Sequence, residues 1–352
     1  MIQEVRKGEE INSEFLKKIL FECGLLSNHK NKLKILQFNN GFSNLTYLIK
    51  FENKELVLRM PPKGAKFGHD MEREFRVLSS LKNSSLKIPK VYFFSKDISI
   101  LGAPFYLMEN INGIILTKNN PLSKNITSEQ YQMISKMWIE NIVQIHEINF
   151  KKMGLDKIGK PIGYVERQIK NWGTQYIKSE TENIDESRKI IDWLARNKPK
   201  KYDHCLIHND YKYDNIVFDE SLNSINAILD WEMCTIGDPL MDFGTSLAYW
   251  TIESDHKNIK AILDYPTLNP GNPSRMELVN MYESRRKVKI RDLIFYYVYG
   301  LFKVSVIVQQ IFYRYKKGHT KDEKFKDLNL MTRLLFKLGW QAIQKNKIEN
   351  YY

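Results

Sequence analysis

Between residues 204 and 243 the chain gathers polar side chains whose types and order suit the transfer of a phosphoryl group. His208-x-Asp210-x-x-x-x-Asn215 is followed by Asp230, which closes a short apolar run. In such chemistry one aspartate accepts the proton of the attacking hydroxyl, while an asparagine and a second aspartate hold magnesium through hard oxygen atoms. Asp210 is therefore the candidate base, and Asn215 and Asp230 are the candidate magnesium ligands. Leu206-Ile207 leads into this loop and Ile216-Val217-Phe218 leads out of it. Asn223-Ser224 reads as a turn and Ile225 to Leu229 as a returning strand, so Asp230 comes back on a hairpin to face Asn215. A lone H-x-D-x-x-x-x-N arises by chance, and Asp and Asn favour loops in any case. The flanking strands and the third carboxylate set this stretch apart.

The same stretch resembles the aminoglycoside phosphotransferase-like family of small-molecule kinases. Its usual pattern is H-G-D-x-x-x-x-N, then I-D-W/F-E, then G-D-P-x-x-D. Here Asn209 stands in place of the glycine, a departure that concerns loop conformation and leaves the oxygen ligands intact. Three further segments resemble the members fused to some acyl-CoA dehydrogenases: Val57-Leu58-Arg59-Met60-Pro61-Pro62, the run from Tyr164 to Trp172, and the aromatic run from Phe295 to Gly318. The resemblance covers roughly residues 15–340. It implies an α+β, protein-kinase-like fold with two lobes: a small antiparallel-sheet lobe over 1–108, a hinge at 109–113 and a larger helical lobe over 114–352. It also implies ATP and Mg²⁺ as cofactors and a small-molecule hydroxyl acceptor.

The elements that must position these residues follow from periodicity. Residues 9–26 read as a leading helix capped by Asn12-Ser13, with Ile11, Phe15 and Ile19 on one face. Leu45, Tyr47, Ile49 and Phe51 alternate as a strand, Glu52 to Lys54 turns, and Glu55 to Met60 returns. The polar turn from Asn39 to Asn44 precedes the first strand. In a kinase-like fold Ser43 and Asn44 would cover the nucleotide phosphates there. Arg59 ends the returning strand and is suited to phosphate by its fixed charge and planar fork. Residues 69–82 read as a helix with Met71, Glu74, Leu78 and Leu81 on its inward stripe. An inward glutamate needs a cation, and Arg59 is the natural partner. Two more strands, from Ile88 and from Phe105, complete a five-stranded lobe. The resemblance places the adenine against backbone groups near Glu109 and Ile111. Helices follow from 128 and over 164–177, where Arg167, Gln168 and Trp172 are either acceptor contacts or packing. His208 supports the loop, His146 reads as a satisfied structural histidine, and Asp238 and Asp242 read as architectural, Asp238 capping a helix.

Composition narrows the class. The 352 residues suffice for two lobes. No apolar run follows a basic N-terminus, and Cys23, Cys205 and Cys234 are too sparse for a disulfide framework, which points to a cytoplasmic setting. The net charge of +13 is spread along the chain as a lysine-rich surface, without the basic cluster a nucleic-acid binder needs. Leu293 to Phe312 has the length and apolarity of a membrane span, yet Lys303 sits at its middle, so a buried helix is expected. The expected activity is phosphorylation of a small-molecule hydroxyl, with a hydroxyacyl-CoA as the leading acceptor. The competing readings are an antibiotic (aminoglycoside or macrolide) kinase, a non-catalytic nucleotide binder and a basic surface-binding protein. A peptide kinase is disfavoured because no A-P-E-type segment follows Asp230. Oligomeric state has no signature in the sequence.

Overall fold

A computed structural model describes residues 2–28, 30–39, 44–62, 70–118, 120–262, 265–320 and 322–351. The first part of the chain builds an antiparallel sheet from β1 (Ile2–Gln3), β2 (Lys34–Phe38), β3 (Leu45–Phe51), β4 (Lys54–Met60), β5 (Val91–Ser95) and β6 (Phe105–Glu109), in the order β1-β2-β3-β4-β6-β5. The sheet has six strands where the sequence suggests five, because the two residues of β1 are too few to show an alternating pattern. Side chains of a strand alternate between faces. Leu56, Leu58 and Met60 of β4 accordingly join Phe105 and Leu107 of β6 in a core closed by α1 (Ser13–Glu22) and α3 (Ile98–Leu101). Val57 and Arg59 point to the other face, where Val57 packs with α2 (Met71–Leu81) and the rest of the protein. The strand period thus aims Arg59 at the interior.

Asn12 caps α1 as expected, accepting from the backbone N–H of Glu14 and Phe15. The buried stripe is Leu16, Ile19 and Leu20, whereas Phe15 is 48% exposed. Ile19 and the half-buried Ile11 of the expected face pack on this core, and Phe15 is its one miss. A ten-residue helix packed on a sheet buries whichever side its ends allow, and local spacing does not fix that.

The larger lobe is helical, as the resemblance implies. It contains α4 (Ser128–Glu147), α5 (Tyr164–Ser179), α6 (Asp185–Arg196), α7 (Pro239–Tyr249), α8 (Lys257–Ile262), α9 (Arg275–Arg286), α10 (Leu293–Lys316) and α11 (Leu328–Lys345). Two small antiparallel sheets sit among them: β7 (Ile114–Ile115), β9 (Ile216–Phe218) and β10 (Ile225–Ile228) in one, β8 (Cys205–Ile207) and β11 (Thr235–Gly237) in the other. The apolar, span-length α10 is the helix around which α5, α7 and α11 pack, and 78% of its most apolar window is buried in protein.

Helices α7 and α10 touch at backbone distance. A Cβ on Gly300 would lie 2.2 Å from the Gly244 carbonyl oxygen, and one on Gly244 would lie 2.2 Å from that of Tyr296. Gly300→Ala is expected to destabilise the fold by about 3 kcal/mol, the upper end for overpacking, because backbone cannot yield as a side chain does. Gly173→Ala in α5, whose Cβ would meet only Ile191 at 3.7 Å, is expected to be neutral or stabilising. Thermal melting of the two variants beside the parent checks both.

Candidate active site

The loop between β8 and β9 is held by its backbone. Both oxygens of the fully buried Asp242, in the first turn of α7, accept backbone N–H bonds from the loop, His208 at 2.8 Å and Asn209 at 2.7 Å. His146 of α4 braces the same carboxylate at 3.1 Å and bonds the Tyr282 hydroxyl through its other nitrogen. His146 is thus structural, as expected. Burial acts to raise the Asp242 carboxyl, but the bonds from His146 and the backbone hold it below the usual range. His208 Nε2 donates to the Leu229 carbonyl at 2.9 Å, tying the loop to the β10 end that precedes Asp230. Asp238 caps α7, accepting from Leu240 N–H at 2.8 Å.

Asp210 and Asn215 meet directly. The Asn215 amide nitrogen donates to the Asp210 backbone oxygen at 2.8 Å and to its carboxylate at 2.9 Å. The β9–β10 hairpin is antiparallel, pairing Ile228 with Ile216, and Leu229 N–H bonds the Asn215 carbonyl at 2.8 Å. Asn215 and Asp230 are brought to neighbouring strand ends, as the spacing predicts. Asp230 sits in the left-handed region, φ 64° and ψ 59°, a conformation Asp tolerates better than most residues.

Arg59 joins this group to the smaller lobe. One guanidinium nitrogen donates to Glu74 at 2.9 Å and the other to Asp230 at 2.9 Å, with Glu232 at 3.9 Å. Glu74 is 1% exposed, so the expected pair is a buried one. Partial burial acts to raise the Asp230 carboxyl, but the charge and hydrogen bond of Arg59 hold it below the usual range. By contrast, Glu72 on the outer stripe pairs with Lys96 at the surface.

Two residues escaped the sequence reading. Lys212 places its Nζ 3.1 Å from the Asp210 carboxylate and 4.7 Å from the centre of the Tyr249 ring. Glu232 accepts from the Asn44 side chain at 2.6 Å, and burial together with the Asp230 charge pushes its carboxyl up to about 8. Both stand two residues beyond a recognised position, and only the fold shows that the offset returns them to the same cleft. Asn44 enters the site by its side chain, where the sequence suggested phosphate cover. Ser43 lies outside the described residues. Glu109 ends β6 opposite Leu56, with its carboxylate on Lys90 N–H at 3.2 Å, and Ile111 follows in the connection to β7. These two stand apart from the Arg59–Asp210 group. Arg167 is turned inward along its own segment, donating to the carbonyls of Ile162 at 2.8 Å, Gly163 at 3.1 Å and Lys160. Trp172 is buried on α5.

The donor set is one of hard oxygens: the Asn215 amide, Asp230 and Glu232 beside Asp210. Among the described residues no three His, Cys, Asp or Glu side chains form a metal cage of their own. This fits an ion such as magnesium, which takes one or two carboxylates and fills its shell with water and phosphate.

A family model for the "Phosphotransferase enzyme family" matches residues 34–278. Acyl-CoA dehydrogenase family member 10 of Mus musculus is 31% identical over 345 residues, covering 97% of this chain and 32% of its own length. Family member 11 of Rattus norvegicus is 31% identical over 307 residues, covering 85% and 39%. The chain thus spans 32% and 39% of the length of these two curated relatives. Among solved structures, an assumed aminoglycoside phosphotransferase from Ralstonia eutropha superposes with a TM-score of 0.78 at 28% identity, covering 96% of this chain and 99% of that one.

Removing Arg59 strands the buried Glu74, a loss of about 3–5 kcal/mol for a broken buried pair. Arg59→Ala and Glu74→Ala are expected to be strongly non-additive in denaturant unfolding, with a coupling of about 1–3 kcal/mol. Additive losses would place Glu74 outside the pair.

Proposed function

Because the chain belongs to the phosphotransferase enzyme family, we propose that its cleft carries the γ-phosphoryl group of ATP to a hydroxyl of a small molecule. The chain is a small-molecule kinase by family and has the protein-kinase-like fold. The observation that carries the finer reading is the Asp210–Asn215 bond beside Asp230, which is itself held by the Arg59–Glu74 pair.

Asp210 is the general base. Its carboxylate takes the proton of the acceptor hydroxyl, and the Asn215 amide fixes which way it faces. Lys212 beside it balances the negative charge that gathers at that point. Asn215 and Asp230, with Glu232, are the residues that would hold magnesium. When bound, that ion neutralises phosphate oxygens. Arg59 presents a permanent, buried positive charge to phosphate, and Glu74 orients it. Asn44 borders the phosphate side of the cleft, and the backbone near Glu109 and Ile111 is the adenine side.

The acceptor is neutral or anionic, with a hydroxyacyl thioester as the first choice. Lys170 and Lys178 lie on α5 with no acidic residue between Arg167 and Lys178, and the chain as a whole carries +13. Such a field repels a cationic aminoglycoside and draws an anionic coenzyme A conjugate. The acyl-CoA dehydrogenase names of its relatives agree with this choice.

ADP release tests both levels. Asp210→Asn is expected to retain ATP binding and to lose transfer by about 10²–10⁴-fold, the usual contribution of a general base; unchanged turnover removes Asp210 from the mechanism. Hydroxyacyl-CoA compounds are expected to stimulate release where kanamycin-type amines do not. Efficient turnover of the amines alone would favour the antibiotic-kinase reading.

A further inference from the structure

We propose that Lys303, in the middle of α10, is a positioning residue that aims Asp210 by clamping the backbone carbonyl of Asn209; this rests on the reading of Asp210 as the base. Lys303 is 1% exposed in the long apolar helix α10. A buried ammonium is retained only where it is well bonded. Here Nζ donates to the Asn209 backbone oxygen at 2.6 Å and to its side-chain oxygen at 3.2 Å.

The peptide group clamped in this way joins Asn209 to Asp210. Its oxygen is held by Lys303, and its N–H donates to His208 Nδ1 at 3.3 Å. Rotation of that plane would swing the Asp210 carboxylate. The need for a clamp is local: Asn209 has φ 69°, a left-handed conformation that glycine adopts freely and other residues resist. The Asn209 side chain adds a bond to the Met233 carbonyl at 3.0 Å, and Asp242 fixes its N–H. The usual glycine is thus replaced by an asparagine whose carbonyl, amide nitrogen and backbone N–H are all tied down.

The charged and titratable groups facing Lys303 come from several elements. Asp242 faces it from α7 and is itself bonded to His146 of α4. Asp210, Lys212 and His208 belong to the loop, and the Tyr164 hydroxyl of α5 reaches the Asn209 side chain at 3.4 Å. Burial lowers the Lys303 pKa to about 8 against the opposing pull of Asp242 and Asp210. The clamp is therefore charged below that pH and weakens above it.

The test measures ADP release with water as the acceptor at saturating Mg-ATP, for the parent, Asp210→Asn and Lys303→Met, a swap that keeps the packing volume. Lys303→Met is expected to lower kcat by about 10²-fold, the scale of a misplaced reacting group, with KM for ATP unchanged. The loss is expected to keep its size in an Asn209→Gly background, because the backbone oxygen is the main acceptor. Parent-like kcat in Lys303→Met beside an inactive Asp210→Asn overturns the clamp and spares the base. A loss that disappears with Asn209→Gly also overturns it. A fully active Asp210→Asn overturns base and clamp together. Should Lys303→Met melt below the assay temperature, the parent's pH profile decides. A fall in kcat through about pH 8 at constant KM that persists in Glu232→Gln supports the clamp, and a flat kcat in that variant overturns it.

Discussion

One guanidinium shared between two lobes is the constraint on which the rest depends. Arg59 belongs to the small sheet, yet its fork is divided between Glu74 of α2 and Asp230 of the larger lobe. A buried charge cannot be left unpaired without a cost of several kcal/mol, so three elements must arrive at one point together. The strand alternation of β4 turns Arg59 inward, the helical stripe of α2 does the same for Glu74, and the left-handed kink after β10 delivers Asp230. The cleft between the lobes is thus closed on one side by electrostatics rather than by apolar packing.

A second anchor sits below it. Asp242 binds the backbone of two consecutive loop residues, so the loop's shape depends little on its own side chains. His146, His208 and Asp238 serve that same frame. The side chains facing the cleft are then relieved of structural work: Asp210 and Asn215 bond mainly to each other, with Lys212 beside them. This division explains why so many acidic groups gather here. The frame carboxylate Asp242 is satisfied by N–H groups, while Glu232 in the cleft is held above the usual range by burial and the Asp230 charge.

Much of this was legible in the sequence because it depends on period and spacing. The returning strand placed Arg59 at its end, a helical stripe placed Glu74, and the hairpin between Ile216 and Leu229 set Asn215 beside Asp230. What was missed depends on tertiary return. Lys212 looks like an ordinary polar loop residue, and Glu232 stands in the recognised pattern without a role, until the fold brings them against Asp210 and Asn44. Arg167 looked like a free cation, but it is bound to carbonyls of its own segment, which charge counting does not reveal. Phe15 of α1 and the two-residue β1 were misjudged for want of length. The adenine side expected near Glu109 rests on the resemblance alone, because backbone contacts leave no side-chain signature.

The central claim is that the Asn215–Asp230 corner meets nucleotide through magnesium, and calorimetric titration tests it most directly. ATP is titrated with and without magnesium into the parent and into Asp230→Ala. The account predicts that the variant loses affinity for Mg-ATP and keeps its affinity for metal-free ATP. Equal losses in the two titrations would contradict it.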